Sequence, residues 1–385
     1  MTRGLGYRAT ARTGRARVSG TPAGVGIIGC GVISGAYLQA AGLFPQLDVR
    51  ALADLNPAAA EARGREFGIA AMTVEALLAS DAIEIVLNLT IPEAHAAVGH
   101  AALAAGKHVY LEKPLAVDLT EARPLLAAAA ERGLRIGCAP DTFLGGGHQS
   151  ARRLLDEGAI GEVVAGTAFL MVAGHERWHP NPDFYYARAG GGPMLDMGPY
   201  YITNLVNLLG PVAEVAAFGR IGRNPRKIRT GPRAGSEVPV ECTTHIAGVM
   251  AFESGPVVQI ATSFEVWAHK HTPIELYGTE GSLAIPDPNR FGGMLELHPA
   301  DGAWQAVPLS HGYADGNYRS LGLADMAAAL RAARPHRASG ELAYHVLEVM
   351  EALVRASEGA GIVKIESRVA RPAPLAPGLA VGALA

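Results

Sequence analysis

The chain has 385 residues, with 33 lysines and arginines against 36 aspartates and glutamates, which gives a formal net charge of −3. This near balance offers no electrostatic basis for a nucleic-acid or anionic-membrane partner. The length is too great for one typical hydrophobic core and predicts two domains.

Cysteine spacing and hydropathy narrow the class of protein further. Cys30, Cys138 and Cys242 are widely separated and odd in number, which indicates neither a disulfide framework nor a zinc site, and we predict no bound metal. Apolar runs in the sequence fall short of the roughly 18 residues that a membrane span needs. We therefore expect a cytoplasmic protein with reduced thiols.

Both ends of the chain have the composition of appendages. Residues 1–22 contain five arginines and no acid, without the apolar stretch of a secretory signal. We predict a disordered extension there, with a basic anchoring arm as the alternative. Residues 366–385 are rich in proline, alanine, glycine and leucine and are predicted to be a flexible tail. The two predicted domains then cover residues 23–141 and 142–365.

Apolar runs and alanine-rich helical segments alternate through residues 23–141. This rhythm requires right-handed crossovers and a parallel sheet covered on both faces. We therefore predict an α/β fold with an N-terminal doubly wound, or Rossmann, dinucleotide-binding domain. The predicted strands are 24–29, 49–53, 83–89, 108–111 and 134–138, and the predicted helices are 34–43, 57–66, 73–80, 93–105 and 118–132.

A glycine-rich turn follows the first predicted strand and opens a helix. Its sequence is Gly29-Cys30-Gly31-Val32-Ile33-Ser34. Gly29 permits the tight turn, and Gly31 lets the backbone N–H groups around Val32 and Ile33 approach a pyrophosphate. Between a strand and a helix, this pattern predicts a dinucleotide-binding site.

Asp54 ends the second predicted strand, 20 residues after Ser34. A carboxylate there can accept hydrogen bonds from both adenine-ribose hydroxyls and would repel a 2′-phosphate, so the predicted cofactor is NAD, with NADP less favoured. No arginine follows Leu55 closely enough in sequence to hold such a phosphate. A helix N-cap is the alternative role for Asp54, although Asn56 suits that role better.

Later strands also end in polar groups, and open parallel sheets bind ligands at the carboxyl ends of their strands. Asn88 and Thr90 are predicted to lie beside the nicotinamide ribose and phosphates. Pro92 begins a helix with His95 in its first turn, and both are predicted to bind the cofactor, with a capping or surface role for His95 equally open.

The strand 108–111 ends abruptly in Glu112-Lys113-Pro114. Taken alone, Glu112 and Lys113 fit an ordinary solvated charge pair. At the carboxyl edge of a dinucleotide-binding sheet, however, the lysine is well placed to face a ligand. We therefore predict that Lys113 lies in the active site and that Glu112 and Lys113 both bind the cofactor.

Residues after 162 change to alternating strands without intervening helices, which predicts a mostly antiparallel open sheet in a C-terminal α+β domain. The predicted strands are 163–173, 212–222, 240–252, 256–267, 273–278, 283–285 and 294–297, and two core helices are predicted at 322–333 and 340–357.

Further candidates for the site surround this second domain. Asp196, Tyr200 and Asn204 stand four residues apart on one predicted helix and should share a face. A loop over residues 174–186 mixes aromatic and hydrogen-bonding side chains, which suits either a sugar ring or a dimer contact. The residues predicted to bind substrate are Asp141, Trp178, His179, Asp183 and Asn204.

The glycine turn, Asp54, Thr90-Ile91-Pro92 with His95, and Glu112-Lys113-Pro114 resemble, in order and spacing, the glucose-fructose oxidoreductase / inositol dehydrogenase / MocA (Gfo/Idh/MocA) family over residues 23–365. This resemblance implies an NAD(P)-dependent enzyme that acts on a hydroxyl or keto group of a sugar, polyol or related cyclic compound. It also implies a homodimer or homotetramer that assembles through the sheet of the second domain.

The resemblance implies roles for three residues and one departure. Members of the family usually carry a histidine where this chain has Tyr200, although some branches also have tyrosine. We expect Tyr200 to be the acid/base with its pKa lowered by Lys113, and Asp196 to orient a substrate hydroxyl. Tyr200 could instead only pack or stack, which would leave His179 or Lys113 as the acid/base.

Two rival functions stay open at this stage. One is an NAD-assisted lyase or glycosidase in which a transient oxidation sets up bond cleavage. The other is a non-catalytic sugar or nucleotide sensor on the same fold, which would not need Lys113.

Overall fold

In a computed structural model, which describes residues 20–188 and 190–384, the chain forms a parallel sheet followed by a larger mixed sheet. Of the predicted extension over residues 1–22, all but the last three residues lie outside the described part. The helices are α1 (Val32–Ala41), α2 (Pro57–Phe67), α3 (Val74–Ala79), α4 (Pro92–Ala104), α5 (Leu119–Glu131), α6 (Gly146–Asp156), α7 (Pro193–Leu209), α8 (Leu321–Arg331) and α9 (Gly340–Arg355).

The strands follow the same numbering in chain order. They are β1 (Ala23–Ile28), β2 (Leu47–Ala53), β3 (Ala70–Ala71), β4 (Ile85–Asn88), β5 (His108–Leu111), β6 (Ile136–Cys138), β7 (Val163–Met171), β8 (Val212–Arg220), β9 (Arg226–Lys227), β10 (Glu237–Val238), β11 (His245–Phe252), β12 (Val257–Ser263), β13 (Ile274–Gly278), β14 (Gly281–Ile285), β15 (Glu296–Pro299), β16 (Gln305–Ala306) and β17 (Val363–Lys364).

The N-terminal sheet has the strand order β3-β2-β1-β4-β5-β6, and all of its strand pairs are parallel. Every residue of β1, β4 and β6 is buried, as expected of strands covered on both faces. The predicted Rossmann fold is confirmed. The sequence does not predict β3, because two residues are too few to show a strand period.

The second sheet has the order β16-β15-β14-β13-β7-β12-β11-β8-β17, and within the described residues only the β7–β12 pair is parallel. Helices α7 and α9 pack on one face. In β12, Val257 and Gln259 are exposed while Val258 and Ile260 are buried, so the other face is open. The mostly antiparallel α+β domain is confirmed, and assembly through its sheet stays a prediction.

The C-terminal segment corrects the prediction of a flexible tail over residues 366–385. Backbone oxygens of its prolines and neighbours accept hydrogen bonds from Arg152 and Arg337. Leu375 is 3% exposed, and its N–H donates to Gln149 at 2.8 Å. Proline lacks an N–H, so this segment is rich in unpaired acceptors that arginines of the folded body can satisfy.

Across residues 20–188 and 190–384, every helix is too short or too polar to traverse a bilayer.

Several histidines are buried in this fold, which couples folding to pH. His148 on α6 is fully buried; it accepts from Nδ2 of Asn204 at 3.1 Å and donates to the oxygen of Arg290 at 2.8 Å. Burial lowers the pKa of His148 to about 4. Burial also lowers the pKa of other histidines, namely His95, His108, His311, His336 and His345.

We expect the free energy of unfolding to fall as the pH decreases from 6.5 towards 4. In that window the unfolded chain binds protons that the folded His148 excludes, at a cost of up to about 1.4 kcal/mol per pH unit. Urea denaturation across the window measures this slope. His148→Gln should make the slope shallower, whereas His269→Gln at an exposed position should keep it. A slope unchanged by His148→Gln would contradict the assignment.

Candidate active site

The glycine turn lies at the carboxyl edge of the parallel sheet, between β1 and α1. Gly29 has φ +102°, and a Cβ there would lie 2.6 Å from the backbone carbonyl of Leu89, so only glycine fits. A Cβ on Gly31 would meet nothing within 4 Å, which leaves open space in front of the turn. The Oγ of Ser34 donates to the oxygen of Gly31 at 2.6 Å and fixes the helix start.

Large apolar side chains stand exposed along this same edge. Val32 after β1 is 97% exposed, Leu55 after β2 is 95% exposed, and Ile91 after β4 is 66% exposed. Apolar surface concentrated beside a glycine turn is typical of a ligand site. With the space before Gly31, these residues fit a dinucleotide that covers them.

Asp54 lies beside a cleft of about 400 Å³ that Leu55, Met72 and Thr73 also line. Its Oδ2 accepts from the N–H of Cys30 at 2.7 Å and its Oδ1 from the N–H of Asn56 at 2.8 Å. Each oxygen keeps a lone pair for a ribose hydroxyl. Asn56 itself caps α2, so Asp54 is not needed as the cap.

Arg63 on α2 is a residue that the sequence did not single out. Its Nη2 donates to the oxygen of Gly31 at 3.2 Å, and its Nη1 pairs with Glu66 at 2.6 Å. Although no arginine follows Leu55 closely in sequence, the fold brings Arg63 against the glycine turn. Sequence distance from Leu55 did not show which face of α2 meets the turn.

Asn88 and His95 hold the loop after β4 rather than presenting free groups to a ligand. Asn88 is buried, accepts from the hydroxyl of Thr90 at 2.6 Å and donates to the oxygen of His95 at 3.1 Å. The His95 ring lies between the oxygens of Pro114, at 2.6 Å, and Thr90, at 3.1 Å. His95 thus fixes the residue after Lys113, and Pro92 opens α4 beside it.

Glu112 also holds the turn that carries Lys113. Its Oε1 accepts from the Tyr37 hydroxyl on α1 at 2.8 Å, and its Oε2 from the N–H of Lys113 at 2.8 Å. Glu112 is 8% exposed, and both of its carboxylate oxygens are engaged in these hydrogen bonds. We infer that Glu112 positions Lys113, whereas the sequence predicted that it binds the cofactor.

Lys113 reaches across to the second domain and meets Asp196 on α7. Its Nζ donates to the backbone oxygen of Asp196 at 2.7 Å and to Oδ1 at 3.1 Å. The other carboxylate oxygen, Oδ2, lies 2.8 Å from Nε2 of His175. The indole N–H of Trp178 donates to Nδ1 of His175 at 3.1 Å, which leaves Nε2 to carry the proton.

Lys113 and Asp196 stabilise each other's charge, and the hydrogen bond from His175 further stabilises the carboxylate of Asp196. Burial alone would raise the pKa of Asp196, but Lys113 and His175 outweigh it and lower the pKa to about 2. Burial likewise opposes the charge of Lys113, yet Asp196 keeps the pKa of the ammonium raised. At neutral pH this is a buried pair of opposite charges.

Tyr200 lies beside the pair, with Nζ of Lys113 5.4 Å from its ring centroid. The Cζ of Arg319, from the segment before α8, lies 6.0 Å from the same ring. Burial raises the pKa of the phenol by more than these two cations lower it. Lys113 does lower the pKa of Tyr200, as expected, but burial raises it by more. The expectation of a lowered pKa for Tyr200 is therefore wrong.

Two residues that were predicted to bind substrate are buried in the protein core and do not face the space beside Lys113. Asp141 is fully buried, and its Oδ2 accepts from the N–H groups of Ser320 and Gly322 at the start of α8. Asn204 is fully buried against His148. Each four-residue step rotates a helical side chain by about 40°, so two steps carry Asn204 away from Asp196 into the core.

The loop after β7 places its aromatic residues around His175. Trp178 is 58% exposed, and the ring of His179 packs against Trp178 and Tyr185. Asp183 instead pairs with Arg233 at 2.9 Å and is half exposed. The structure therefore brings Trp178 and His179 to the site, while the carboxylate of Asp183 is occupied elsewhere.

Three side chains at this site were missed by sequence reasoning: His175, Tyr185 and Arg319. The ring of Tyr185 lies 4.4 Å from that of His175, and burial together with Asp196 raises the pKa of Tyr185 to about 12. Nη1 of Arg319 is buried and has no hydrogen-bond partner among the described residues. In sequence, these residues carried no spacing that relates them to Lys113.

We expect His175→Ala to lower the free energy of unfolding by about 1–3 kcal/mol, because it leaves a buried oxygen of Asp196 without its donor. Chemical denaturation at neutral pH measures the change. His179→Ala, which removes ring contacts and an exposed hydrogen bond from the N–H of Asn181, is the control and should cost less. Equal losses in the two variants would show that the bond to Asp196 adds no stability.

Comparison with known proteins assigns both domains. Residues 23–139 match the oxidoreductase family with an NAD-binding Rossmann fold, and residues 148–284 match the GFO/IDH/MocA C-terminal domain. The 1,5-anhydro-D-fructose reductase of Ensifer adhaerens is 30% identical over 231 residues, which are 58% of this chain and 63% of that protein, less than two thirds of its length.

Two further similarities cover more of the chain. A dTDP-3,4-didehydro-2,6-dideoxy-alpha-D-glucose 3-reductase of Streptomyces violaceoruber is 29% identical over 355 residues, 89% of this chain and 96% of that protein. An NAD binding oxidoreductase from Klebsiella pneumoniae has the same fold, with a TM-score of 0.78 at 22% identity over 90% of this chain and 100% of that one. The chain belongs to the GFO/IDH/MocA family of oxidoreductases, and its N-terminal domain is that family's NAD-binding Rossmann fold.

Proposed function

We propose that the protein transfers hydride between NAD and a secondary hydroxyl or keto carbon of a sugar, polyol or related cyclic compound. The observation that carries this proposal is the Lys113 ammonium, held by Asp196 at the carboxyl edge of the dinucleotide-binding sheet. NAD supplies or accepts the hydride. The chain's own residues must then orient the substrate and move one proton.

Lys113 and Tyr200 are the groups suited to that proton. Lys113 is a charged donor whose ammonium polarises a carbonyl oxygen or stabilises an alkoxide. Tyr200 is a neutral phenol at pH 7, because burial raises its pKa. Asp196 fixes Lys113 and is itself held by His175. Both groups are proton donors at neutral pH, which favours proton donation to a carbonyl, and oxidation becomes easier as Tyr200 loses its proton.

The names of the relatives support a sugar-like substrate. They include the 1,5-anhydro-D-fructose reductase and the dTDP-deoxysugar reductase above, and a levoglucosan dehydrogenase of Pseudarthrobacter phenanthrenivorans that is 25% identical over 68% of this chain. Both reductases and dehydrogenases occur among them. We infer the class of compound from this set and leave the individual sugar to experiment.

Lys113→Ala should lower turnover on a panel of sugars and polyols by at least about a hundredfold, because it removes the charge that stabilises the reacting oxygen. NAD binding, measured by fluorescence titration, should be retained. Lys364→Ala on β17 is the control for loss of a surface lysine. Unchanged turnover in Lys113→Ala would overturn the proposed function.

NAD is the proposed cofactor form, since the Asp54 carboxylate lies where a 2′-phosphate would have to be accommodated. Arg63 does not reverse this preference, because Glu66 already pairs with its guanidinium.

Asp54→Ser should raise the KM for NAD by about tenfold or more, as charge-assisted bonds to the ribose are lost, and should improve NADP relative to NAD. Initial rates with each cofactor measure the ratio. Glu61→Ser, on the same side of the cleft, is the control. A wild-type enzyme that used NADP better than NAD would contradict the assignment.

A further inference from the structure

An exposed tryptophan lies on the protein surface beyond the aromatic neighbours of His175. Trp267 is 63% exposed, and three guanidinium groups surround its ring. The Cζ atoms of Arg177, Arg223 and Arg229 lie 4.7, 4.9 and 6.0 Å from the ring centroid. We refer to these four residues as the Trp267 patch.

The charges of the Trp267 patch are only partly compensated. Arg223 pairs with Glu265 at 2.9 Å and donates to the backbone oxygens of Ala173 and Phe264. Among the residues that the structure describes, no carboxylate lies within 4.0 Å of Arg177 or Arg229, and both side chains are exposed. The patch therefore presents two positive charges without counterions beside a third that is held rigidly.

The Trp267 patch adjoins the loop that carries His175. The ring of Phe264, three residues before Trp267, lies 4.6 Å from that of His175, which bonds to Asp196. Arg177 follows His175 by two residues on the same loop. The N–H of Arg229 donates to the oxygen of Glu176 at 2.9 Å, so this arginine is tied to that loop as well.

A buried ion pair anchors the loop beneath the patch. Arg226 is 2% exposed, and its Nη1 pairs with Glu176 at 3.2 Å. Glu176 lies between His175 and Arg177 in sequence, so this pair fixes the backbone on which both stand. The backbone that carries Arg177, and the backbone of Arg229 bonded to it, are therefore held in place before any ligand arrives, which reduces the entropy lost on binding.

We propose that the Trp267 patch binds a phosphate or diphosphate group of the substrate, whose sugar ring lies at Lys113 and Tyr200. A guanidinium group matches two phosphate oxygens at once, and stacking on the indole ring orients it for that contact. The proposal rests on the proposed function for the sugar half of the ligand. The anionic half follows from Arg177, Arg229 and Trp267 alone.

The direct test is calorimetric titration of pyrophosphate into the NAD-saturated protein. Saturable binding is expected, and the Arg177→Gln/Arg229→Gln double variant should weaken it by at least about tenfold, since each lost charge-assisted contact is worth about that much. The Arg123→Gln/Arg132→Gln double variant, at exposed positions in α5 and at its C-cap, is the charge-matched control and should bind as the wild type does.

Kinetics separate a substrate subsite from a general anion site. With the double variant, the KM for a sugar phosphate should rise about tenfold while the KM for the unphosphorylated sugar stays unchanged. Pyrophosphate should compete with the sugar phosphate at saturating NAD. Equal effects on the two substrates would overturn the subsite.

Two other results would also overturn the proposal. One is pyrophosphate binding weaker than about 10 mM by the wild type, or equal binding by the double variant. The other is a double variant that dissociates in light scattering with unchanged pyrophosphate affinity, which would make the patch a contact between chains. The titration does not depend on turnover. Absence of dehydrogenase activity would therefore contradict the proposed function, whereas the pyrophosphate titration alone decides whether the anion site exists.

Discussion

The site depends on one ion pair formed between the two domains. Lys113 ends a strand of the Rossmann sheet, Asp196 begins a helix of the second domain, and Nζ lies 3.1 Å from Oδ1. Both side chains are largely removed from water, and an unpaired charge in such surroundings costs several kcal/mol. Each charge therefore depends on the other, and separation of the domains at this point would leave the ammonium of Lys113 without its carboxylate and Asp196 with His175 alone.

Residues that do not touch a ligand hold this pair in register. Glu112 binds the N–H of Lys113, His95 holds the oxygen of Pro114, and His175 occupies the second oxygen of Asp196. These three bonds restrict the backbone around Lys113 and the carboxylate of Asp196, and so limit where the ammonium can lie. Tyr200 then lies at a defined distance from the ammonium of Lys113. Because burial raises the pKa of the phenol, a nearby positive charge is needed to stabilise the phenolate if Tyr200 is to exchange a proton.

Local patterns in the sequence predicted much of this. The Rossmann sheet, its glycine turn and Lys113 were predictable, because apolar strands and the chemistry at their ends are contiguous in the chain. His175 was not, because its partner Asp196 lies 21 residues away and no periodicity joins a loop to a helix. Asn204 was misplaced because spacing by four only approximates the 3.6-residue turn.

Burial accounts for the remaining errors. Asp141 and Asn88 are polar residues at strand ends, where ligand contact is the reasonable expectation, yet both are fully buried and bind backbone groups. Tyr200 was expected to be acidic because only the nearby cation could be inferred. How deeply a phenol is buried depends on the whole fold, and here burial decides the direction of the pKa shift.

The packed C-terminal segment restrains how the two domains can move. It binds Arg152 and Gln149 on α6, while the oxygen of Gly382 accepts from Gln46 of the Rossmann domain at 3.0 Å. The segment thus forms hydrogen bonds with both domains and links them. Any opening of the cleft must therefore either stretch this segment or rotate the domains about it.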